Sequence, residues 1–259
     1  MISIAFAVIT ALVSIFNLPT TARDFSPGPV REICEPSRLR TVTVSATTKA
    51  GASIDNLRSE DLTLSENKTP REILKLESAR EQPLSIAILI DTSASQERTL
   101  EGTKLAAREF VQSILRADRD RAAVISFTDK ITLEQDLTND LTKLQAAIGR
   151  VRFVPPLGYL GRLIVGPPPR NPQHLPGATA LWDAIADTVK TLQNEKDSRR
   201  VIVILTDGED TFSRATLRDA AQQAAVNNVA VIAIGIADEK KFSLNREQLQ
   251  KLADETGGR

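Results

Sequence analysis

The sequence predicts an α/β fold, a doubly wound, mostly parallel sheet flanked by helices and preceded by a small all-β segment. Two observations support this prediction. From Leu84 onward, short apolar runs alternate with stretches that have helical periodicity, which is typical of parallel strands joined by helices. Between residues 39 and 80, apolar and polar residues alternate with a period of two, as in half-buried strands. The length of 259 residues suits one large or two small domains.

The N-terminal residues 1–22, "MISIAFAVITALVSIFNLPTTA", carry no charged side chain. Their apolar run has the length of a long signal-peptide core, and small residues follow Pro19. We expect a cleaved export signal, with an uncleaved membrane anchor as the main alternative and a buried N-terminal helix as a third. The first two would place the rest of the chain outside the cytoplasm, as a secreted, periplasmic or membrane-attached protein. Residues 23–38 contain three prolines and are expected to be a linker.

The segment 39–80 is predicted to be a small β unit. "RTVTVSATT" is predicted to form one strand, and "DLTLSENKTPREILKLES" two strands around a turn at residues 66–68. A unit of this size buries little core by itself. We therefore place the main domain at residues 84–259.

Each element of the main domain follows from its pattern. Continuous apolar runs predict strands that are covered on both faces, and apolar residues three or four positions apart predict amphipathic helices. In chain order these are "LSIAILID" (strand), "QERTLEGTKLAAREFVQSILR" (helix), "RAAVISFTD" and "ITLEQDLT" (strands), "LTKLQAAIGRV" and "ATALWDAIADTVKTLQNE" (helices), "RRVIVILTDG" (strand), "TLRDAAQQAAVNN" (helix), "VAVIAIGIAD" (strand) and "NREQLQKLADETGGR" (helix). Thr216 is a predicted N-cap, and the charged run at residues 117–121 is a predicted solvated turn.

Composition argues against two classes of function. The 33 basic and 33 acidic residues balance, so no electrostatic argument favours nucleic-acid binding. The sequence contains neither a glycine-rich phosphate-binding loop nor a Ser–His or Cys–His pair in a plausible context, and it has one histidine. We therefore expect a protein that is not an enzyme, with a magnesium-dependent hydrolase as a less favoured alternative.

Oxygen-bearing side chains follow two predicted strands and precede one predicted helix. Asp91, Ser93 and Ser95 alternate directly after the first core strand, so their side chains can converge. Asp207 ends a second strand, and Thr179 stands before a helix. Taken singly, each is ordinary turn or cap chemistry. Because ligands of such sheets bind beyond the carboxyl ends of strands, the set predicts a site for a hard divalent cation.

With these motifs the sequence resembles the von Willebrand factor type A (VWFA) domain, whose fold is Rossmann-like. Its metal-ion-dependent adhesion site combines an Asp-x-Ser-x-Ser motif with a distant Thr and a distant Asp, which correspond to Asp91, Ser93, Ser95, Thr179 and Asp207. The resemblance implies Mg²⁺ or Mn²⁺ held by the three hydroxyls, with both carboxylates acting partly through water. It also implies a protein partner that offers an acidic residue.

The resemblance covers about residues 39–259. The segment before Leu84 is similar to a bacterial subgroup described as VWFA-related, acidobacterial proteins. Ala94 replaces a frequent glycine, and "TGGR" ends the chain before the last strand and helix of the family, so we expect a domain that is incomplete at its C-terminus. The expected function is an exported, metal-dependent protein-binding or adhesion module. The alternative is a structural or scaffold protein with a vestigial metal site.

A proline-rich loop precedes Thr179 and contains Tyr159, Arg162 and His174. Proline restricts the unbound loop, and loops above strand ends often carry specificity. We expect these three residues to form a partner-binding rim. The alternative is a variable insertion without a binding role.

Overall fold

A computed structural model describes residues 46, 54, 56–160, 165–166, 174–195, 197–238 and 244–258, with Arg80 described only by its backbone. The predicted signal or anchor, the linker and most of the strand "RTVTVSATT" lie outside these residues. The described chain forms two compact units that divide between Ser78 and Ala79. Among the described residues, no helix has both the length and the apolar character needed to span a membrane.

The first unit contains a β-hairpin. Strands β1 (Leu64–Glu66) and β2 (Thr69–Arg71) pair antiparallel, which confirms the predicted turn. Asn67 and Lys68 adopt φ values of 51° and 65°, the left-handed geometry that a two-residue hairpin turn requires. The predicted continuation of the second strand is wrong, because residues 72–78 have no regular structure. Its alternating leucines do not face a core; Leu74, for instance, is 67% exposed.

The second unit is built on one five-stranded sheet. Its strands are β3 (Leu84–Asp91), β4 (Arg121–Phe127), β5 (Ile131–Thr138), β6 (Arg199–Thr206) and β7 (Val229–Gly235). Their order is β5-β4-β3-β6-β7, in which β5 runs antiparallel to β4 and the other pairs are parallel. The predicted doubly wound, mostly parallel sheet is confirmed. From β3 the chain continues outward through β4 and β5 on one side, and it later returns to the other side of β3 to form β6 and β7. The strand order therefore reverses at β3.

Helices cover both faces of this sheet. They are α1 (Leu100–Ile114), α2 (Leu141–Arg150), α3 (Leu181–Leu192), α4 (Leu217–Val226) and α5 (Arg246–Thr256). Side chains of β3 alternate between the two sides: Ala87 and Leu89 pack with α3, α4 and α5, whereas Ile88 packs with α1 and α2. A fully buried isoleucine or leucine contributes about 1.5–3 kcal/mol. This double burial explains why β3 and β6 are apolar without alternation.

Helix ends follow local chemistry. Thr216 and Asp219 form a reciprocal capping box at α4, which confirms the predicted N-cap. The first helix begins at Leu100, four residues later than the pattern suggested, because Ala94–Gln96 form a separate short 3-10 helix.

The predicted solvated turn at residues 117–121 is confirmed except at Asp120, because residues 117–119 form a turn and residues 117–119 and 121 are exposed. Asp118 and Arg119 pair at the surface, but the Asp120 side chain is completely buried. Its carboxylate accepts hydrogen bonds from the Leu84 backbone N at 2.9 Å and from Arg116 Nε at 2.7 Å. Burial alone would raise the pKa of Asp120, but the hydrogen bonds from Arg116 and Leu84 outweigh it and lower the pKa to about 2. The Asp120 carboxylate thereby joins the start of β3 to Arg116, just after the end of α1.

Candidate functional site

Asp91 is the last residue of β3 and is completely buried. Its Oδ1 accepts a hydrogen bond from the Ser93 backbone N at 2.9 Å, and its Oδ2 accepts one from Thr206 Oγ1 at 2.6 Å. Burial raises the pKa of Asp91 to about 6, and the neighbouring Asp207 carboxylate adds to the rise against the lowering effect of these hydrogen bonds. The protein thus holds, at a strand end, a carboxylate that resists ionisation.

The two serines of the motif lie together beside Asp91. Ser93 has an extended backbone and precedes the short 3-10 helix Ala94–Gln96, so the chain turns between the two hydroxyls. Their Oγ atoms are 3.1 Å apart. Ser93 is buried, while Ser95 keeps partial exposure, so the paired hydroxyls extend from the buried carboxylate toward solvent.

Asp207 follows β6 and is 1% exposed. Its Oδ1 accepts a hydrogen bond from the Glu209 backbone N, and its Oδ2 accepts one from Gln96 Nε2 at 3.2 Å. The same Nε2 is 3.3 Å from Ser95 Oγ, so one amide joins the serine turn to the end of β6. Gly208 then turns the chain with φ of +85°, where a Cβ would lie 2.9 Å from the Asn245 carbonyl oxygen.

Thr179 is 5% exposed and lies directly between the other two segments. Two residues earlier, the Gly177 carbonyl accepts a hydrogen bond from Ala94 N at 2.9 Å, which attaches this segment to the serine turn. On its other side, Thr179 N donates to Thr211 Oγ1 at 2.9 Å in the loop after β6. The backbone around Thr179 therefore contacts both of the segments that carry the other predicted ligands.

The same loop after β6 also caps the start of α3. Leu181 N donates to Asp210 Oδ1 at 2.8 Å, and Trp182 N donates to Ser213 Oγ at 2.9 Å. In return, the Asp183 carboxylate accepts a hydrogen bond from the Ala215 N. These bonds satisfy helix-start N–H groups that have no partner within the helix, and they fix Thr179 against the end of β6.

Tyr159 and His174, two of the three predicted rim residues, lie in described parts of the proline-rich loop. This loop is joined to the serine turn by a hydrogen bond from Val154 N to the Thr92 carbonyl at 3.1 Å. Tyr159 packs edge-on against Phe153, with ring centroids 5.8 Å apart. His174 is exposed, and its Nδ1 lies 3.8 Å from Oδ2 of Asp129, whose side chain is 3% exposed. Arg162 lies outside the described residues.

Sequence analysis missed Gln96 and Thr206, whose side chains contact the predicted ligands Asp207 and Asp91 respectively. Thr206 could have been found, because it ends the same strand that leads to Asp207. Gln96 gives no comparable signal, since a glutamine after the motif fits an exposed turn equally well.

The donor set is composed of oxygen atoms. Within the described part of the chain, no three acidic, imidazole or thiol side chains come together as a metal-binding group. A cation here would therefore depend on hydroxyl oxygens beside the two buried carboxylates. Neutral and anionic oxygen ligands suit a hard divalent cation, whose charge would also relieve the repulsion that contributes to the raised pKa of Asp91.

Solved structures with a similar fold include BatB from Bacteroides thetaiotaomicron, with 19% identity, a TM-score of 0.51 and coverage of 68% of this chain and 87% of that one. An aerotolerance-related membrane protein from Bacteroides fragilis has 18% identity, a TM-score of 0.51 and coverage of 68% and 89%. A von Willebrand factor type A protein from Catenulispora acidiphila has 20% identity, a TM-score of 0.52 and coverage of 68% and 38%. These likenesses concern the fold.

Family comparisons give a consistent assignment. Three models described as von Willebrand factor type A domain match residues 86–209, 170–259 and 11–137. No curated protein gives a significant match. The acidobacterial subgroup stays a prediction. The matched segments include the Asp-x-Ser-x-Ser turn, the Thr179 segment and the end of β6, and on this basis the chain belongs to the von Willebrand factor type A domain family.

Proposed function

We propose that this chain is an exported, cation-dependent module that binds a protein partner through an acidic residue of that partner. One observation carries the proposal. Asp91, Ser93, Ser95 and Asp207, from two separate strand ends, are linked by consecutive hydrogen bonds through Gln96. The segment that carries Thr179 contacts both strand ends, the serine turn through the Gly177 carbonyl and the loop after β6 through the Thr179 backbone. Mg²⁺ or Mn²⁺ is the proposed cation, with Ser93, Ser95 and Thr179 as its direct protein ligands.

The hydrogen bonds of the carboxylates support this division of roles. Both oxygens of Asp91 already accept hydrogen bonds from the protein, and so do both oxygens of Asp207. A carboxylate held in this way suits contact with the cation through water. The direct ligands are then neutral, so the cation keeps a strong attraction for an anionic ligand from outside. A carboxylate of a protein partner is the proposed occupant of the position that faces solvent.

The proline-rich loop is the proposed partner-binding rim, through Tyr159, Arg162 and His174. Exposed apolar side chains support this role, since Leu157 is 59% exposed and Leu160 is 69% exposed. Replacing residues 157–174 by a short Gly-Ser linker is expected to weaken partner binding and to leave cation affinity within about twofold. Unchanged partner affinity in a folded variant would remove the loop from the proposal.

Location outside the cytoplasm is also a proposal. It is supported by the uncharged apolar run of residues 1–22, which could be a cleaved signal or a membrane attachment. Mass spectrometry of the mature N-terminus from the native host would distinguish the two, and the full-length uncleaved chain in a soluble cytoplasmic fraction would contradict both.

The function is tested by a pull-down from envelope and extracellular extract with MgCl₂, and in parallel with EDTA. We expect a partner that is retained with Mg²⁺ and released by the chelator. The Asp91→Ala variant should retain neither Mg²⁺ nor the partner while its far-UV circular dichroism stays near that of the parent. A partner that stays bound in EDTA would indicate a cation-independent surface. A parent protein that gives no heat with Mg²⁺ in calorimetry would favour a scaffold with a vestigial site.

A further inference from the structure

Gln96 is a buried amide at the centre of three chain segments, with 1% of its surface exposed. Its Nε2 lies 3.2 Å from Asp207 Oδ2 at the end of β6, 3.3 Å from Ser95 Oγ in its own turn, and 3.5 Å from the Ile236 carbonyl oxygen after β7. Its Oε1 accepts a hydrogen bond from Thr99 Oγ1 at 2.7 Å. One side chain thus contacts the serine turn and the carboxyl ends of two strands.

The orientation of this amide is determined by its neighbours. The Asp207 carboxylate and the Ile236 carbonyl can only accept hydrogen bonds, so the NH₂ group must face them. The Thr99 hydroxyl can donate, and it faces the amide oxygen. A flipped amide would place its oxygen against two acceptors. Gln96 therefore holds Ser95 and Asp207 at a defined separation by a donor that cannot turn away.

We propose that Gln96 is a positioning residue that sets the width of the cation site and favours a small divalent cation over a large one. This inference rests on the proposed function. Magnesium requires nearly ideal octahedral geometry with ligands at about 2.0–2.1 Å, whereas calcium accepts flexible geometry at about 2.3–2.6 Å. Fixing Ser95 relative to Asp207 stabilises a narrow arrangement, and loss of the amide donor allows the two segments to separate.

The decisive variant is Gln96→Met, which preserves length and approximate volume but removes both amide donors. Isothermal titration calorimetry with MgCl₂ and with CaCl₂ compares it with the parent protein. Residues that hydrogen-bond to metal ligands contribute roughly 10- to 100-fold to affinity. We expect a loss of this size for Mg²⁺ and a smaller loss for Ca²⁺, so that the ratio of the two affinities falls. Thermal unfolding in EDTA reports any loss of stability separately.

Thr99→Val provides a graded second variant, because it releases the amide oxygen and keeps the donors. Thr99→Val should lower the ratio of Mg²⁺ to Ca²⁺ affinity by a smaller factor than Gln96→Met. If Gln96→Met does not fold, Thr99→Val is used for the test instead. Thr188→Val is the matched control. The Thr188 hydroxyl is buried in α3 and donates to the Ala184 carbonyl, so its removal should leave both affinities unchanged.

Equal losses for Mg²⁺ and Ca²⁺ would assign Gln96 a general structural role and overturn the inference. Affinities that stay at the parent values in both variants would overturn it as well, while the proposed function would stand. A parent protein that binds neither cation would instead refute the proposed function, and the inference would fail with it. A lowered Mg²⁺-to-Ca²⁺ ratio in both variants, with Thr188→Val unchanged, is the supporting result.

Discussion

Two buried aspartates differ in what their surroundings provide. Asp120 faces the Arg116 guanidinium, and its pKa falls to about 2. Asp91 receives neutral donors and lies near Asp207, and burial raises its pKa to about 6. An unpaired buried carboxylate destabilises the cation-free fold, whereas a paired one stabilises it. The contrast is consistent with the proposed cation, which would supply the opposite charge that Asp91 lacks.

Asp91→Asn should stabilise the cation-free protein at neutral pH. Because burial raises the pKa of Asp91 from its ordinary value of 3.8 to about 6, the folded protein binds more protons than the unfolded chain between those values. Stability is therefore lost as pH rises from about 4 to 6, by about 3 kcal/mol at most. Urea unfolding in EDTA should show the variant more stable than the parent at pH 7.5, with a smaller difference at pH 4.5. A less stable variant at pH 7.5 would contradict this.

Asp120→Asn should destabilise the protein, whereas Asp91→Asn should stabilise it, so this variant serves as the matched comparison. The lowered pKa of Asp120 means that its contribution is fully present above about pH 4 and is lost as pH falls toward 2. The substitution also leaves Arg116 without its carboxylate. We expect a loss of about 2–4 kcal/mol at pH 7.5 in the same urea experiment. Parent-like stability at that pH would show that the ion pair contributes nothing.

At the scale of elements, the geometry of the candidate site depends on how α3 begins. Residue Ala180 offers no capping side chain, so Ser213 and Asp210 from the loop after β6 accept the first N–H hydrogen bonds. The cap is thus provided by a different segment from the one that carries Thr179. This arrangement makes the position of Thr179 sensitive to the loop after β6.

Ser213→Ala should therefore affect both stability and cation binding. It removes the acceptor for Trp182 N and Asp183 N, and loss of a helix cap costs about 1 kcal/mol. We expect a matching fall in unfolding free energy and a several-fold fall in Mg²⁺ affinity by calorimetry. Ser113→Ala is the control, since the exposed Ser113 hydroxyl bonds only the Phe110 carbonyl of its own helix among the described contacts. If both substitutions change Mg²⁺ affinity equally, the cap of α3 does not determine the geometry of the site.

The elements that could be predicted from the sequence are those whose burial shows in their periodicity. The apolar run of β3 and the Thr216 capping box are local signals, and both are confirmed. The burial of Asp120 and the contacts of Gln96 could not be predicted, because their partners lie at a distance in the chain: Leu84 for the first and Asp207 for the second. Charge and polarity alone suggest surface positions for both.

At the scale of the molecule, the sheet order brings the candidate ligands together. β3 and β6 are adjacent and parallel although more than a hundred residues separate them, as Ile90 pairs with Leu205. Their carboxyl ends therefore lie side by side. This register places Asp91 and Asp207 at neighbouring strand ends. The Asp207 carbonyl also accepts a hydrogen bond from Asn245 N at the start of α5, so the end of β6 is joined to a helix that packs on the same face of the sheet as α3.

Since the candidate ligands come from segments that only the folded chain brings together, a cation should bind the native state and not the unfolded one. Its stabilisation then follows mass action and reaches about 2.7 kcal/mol when its concentration is 100 times the dissociation constant. For a domain of this size, each kcal/mol raises Tm by roughly 2–4 °C. Tm measured by calorimetry should rise with the logarithm of MgCl₂ concentration in the parent and stay constant in Asp91→Ala. The same rise with NaCl at matched ionic strength would show general screening instead of a site.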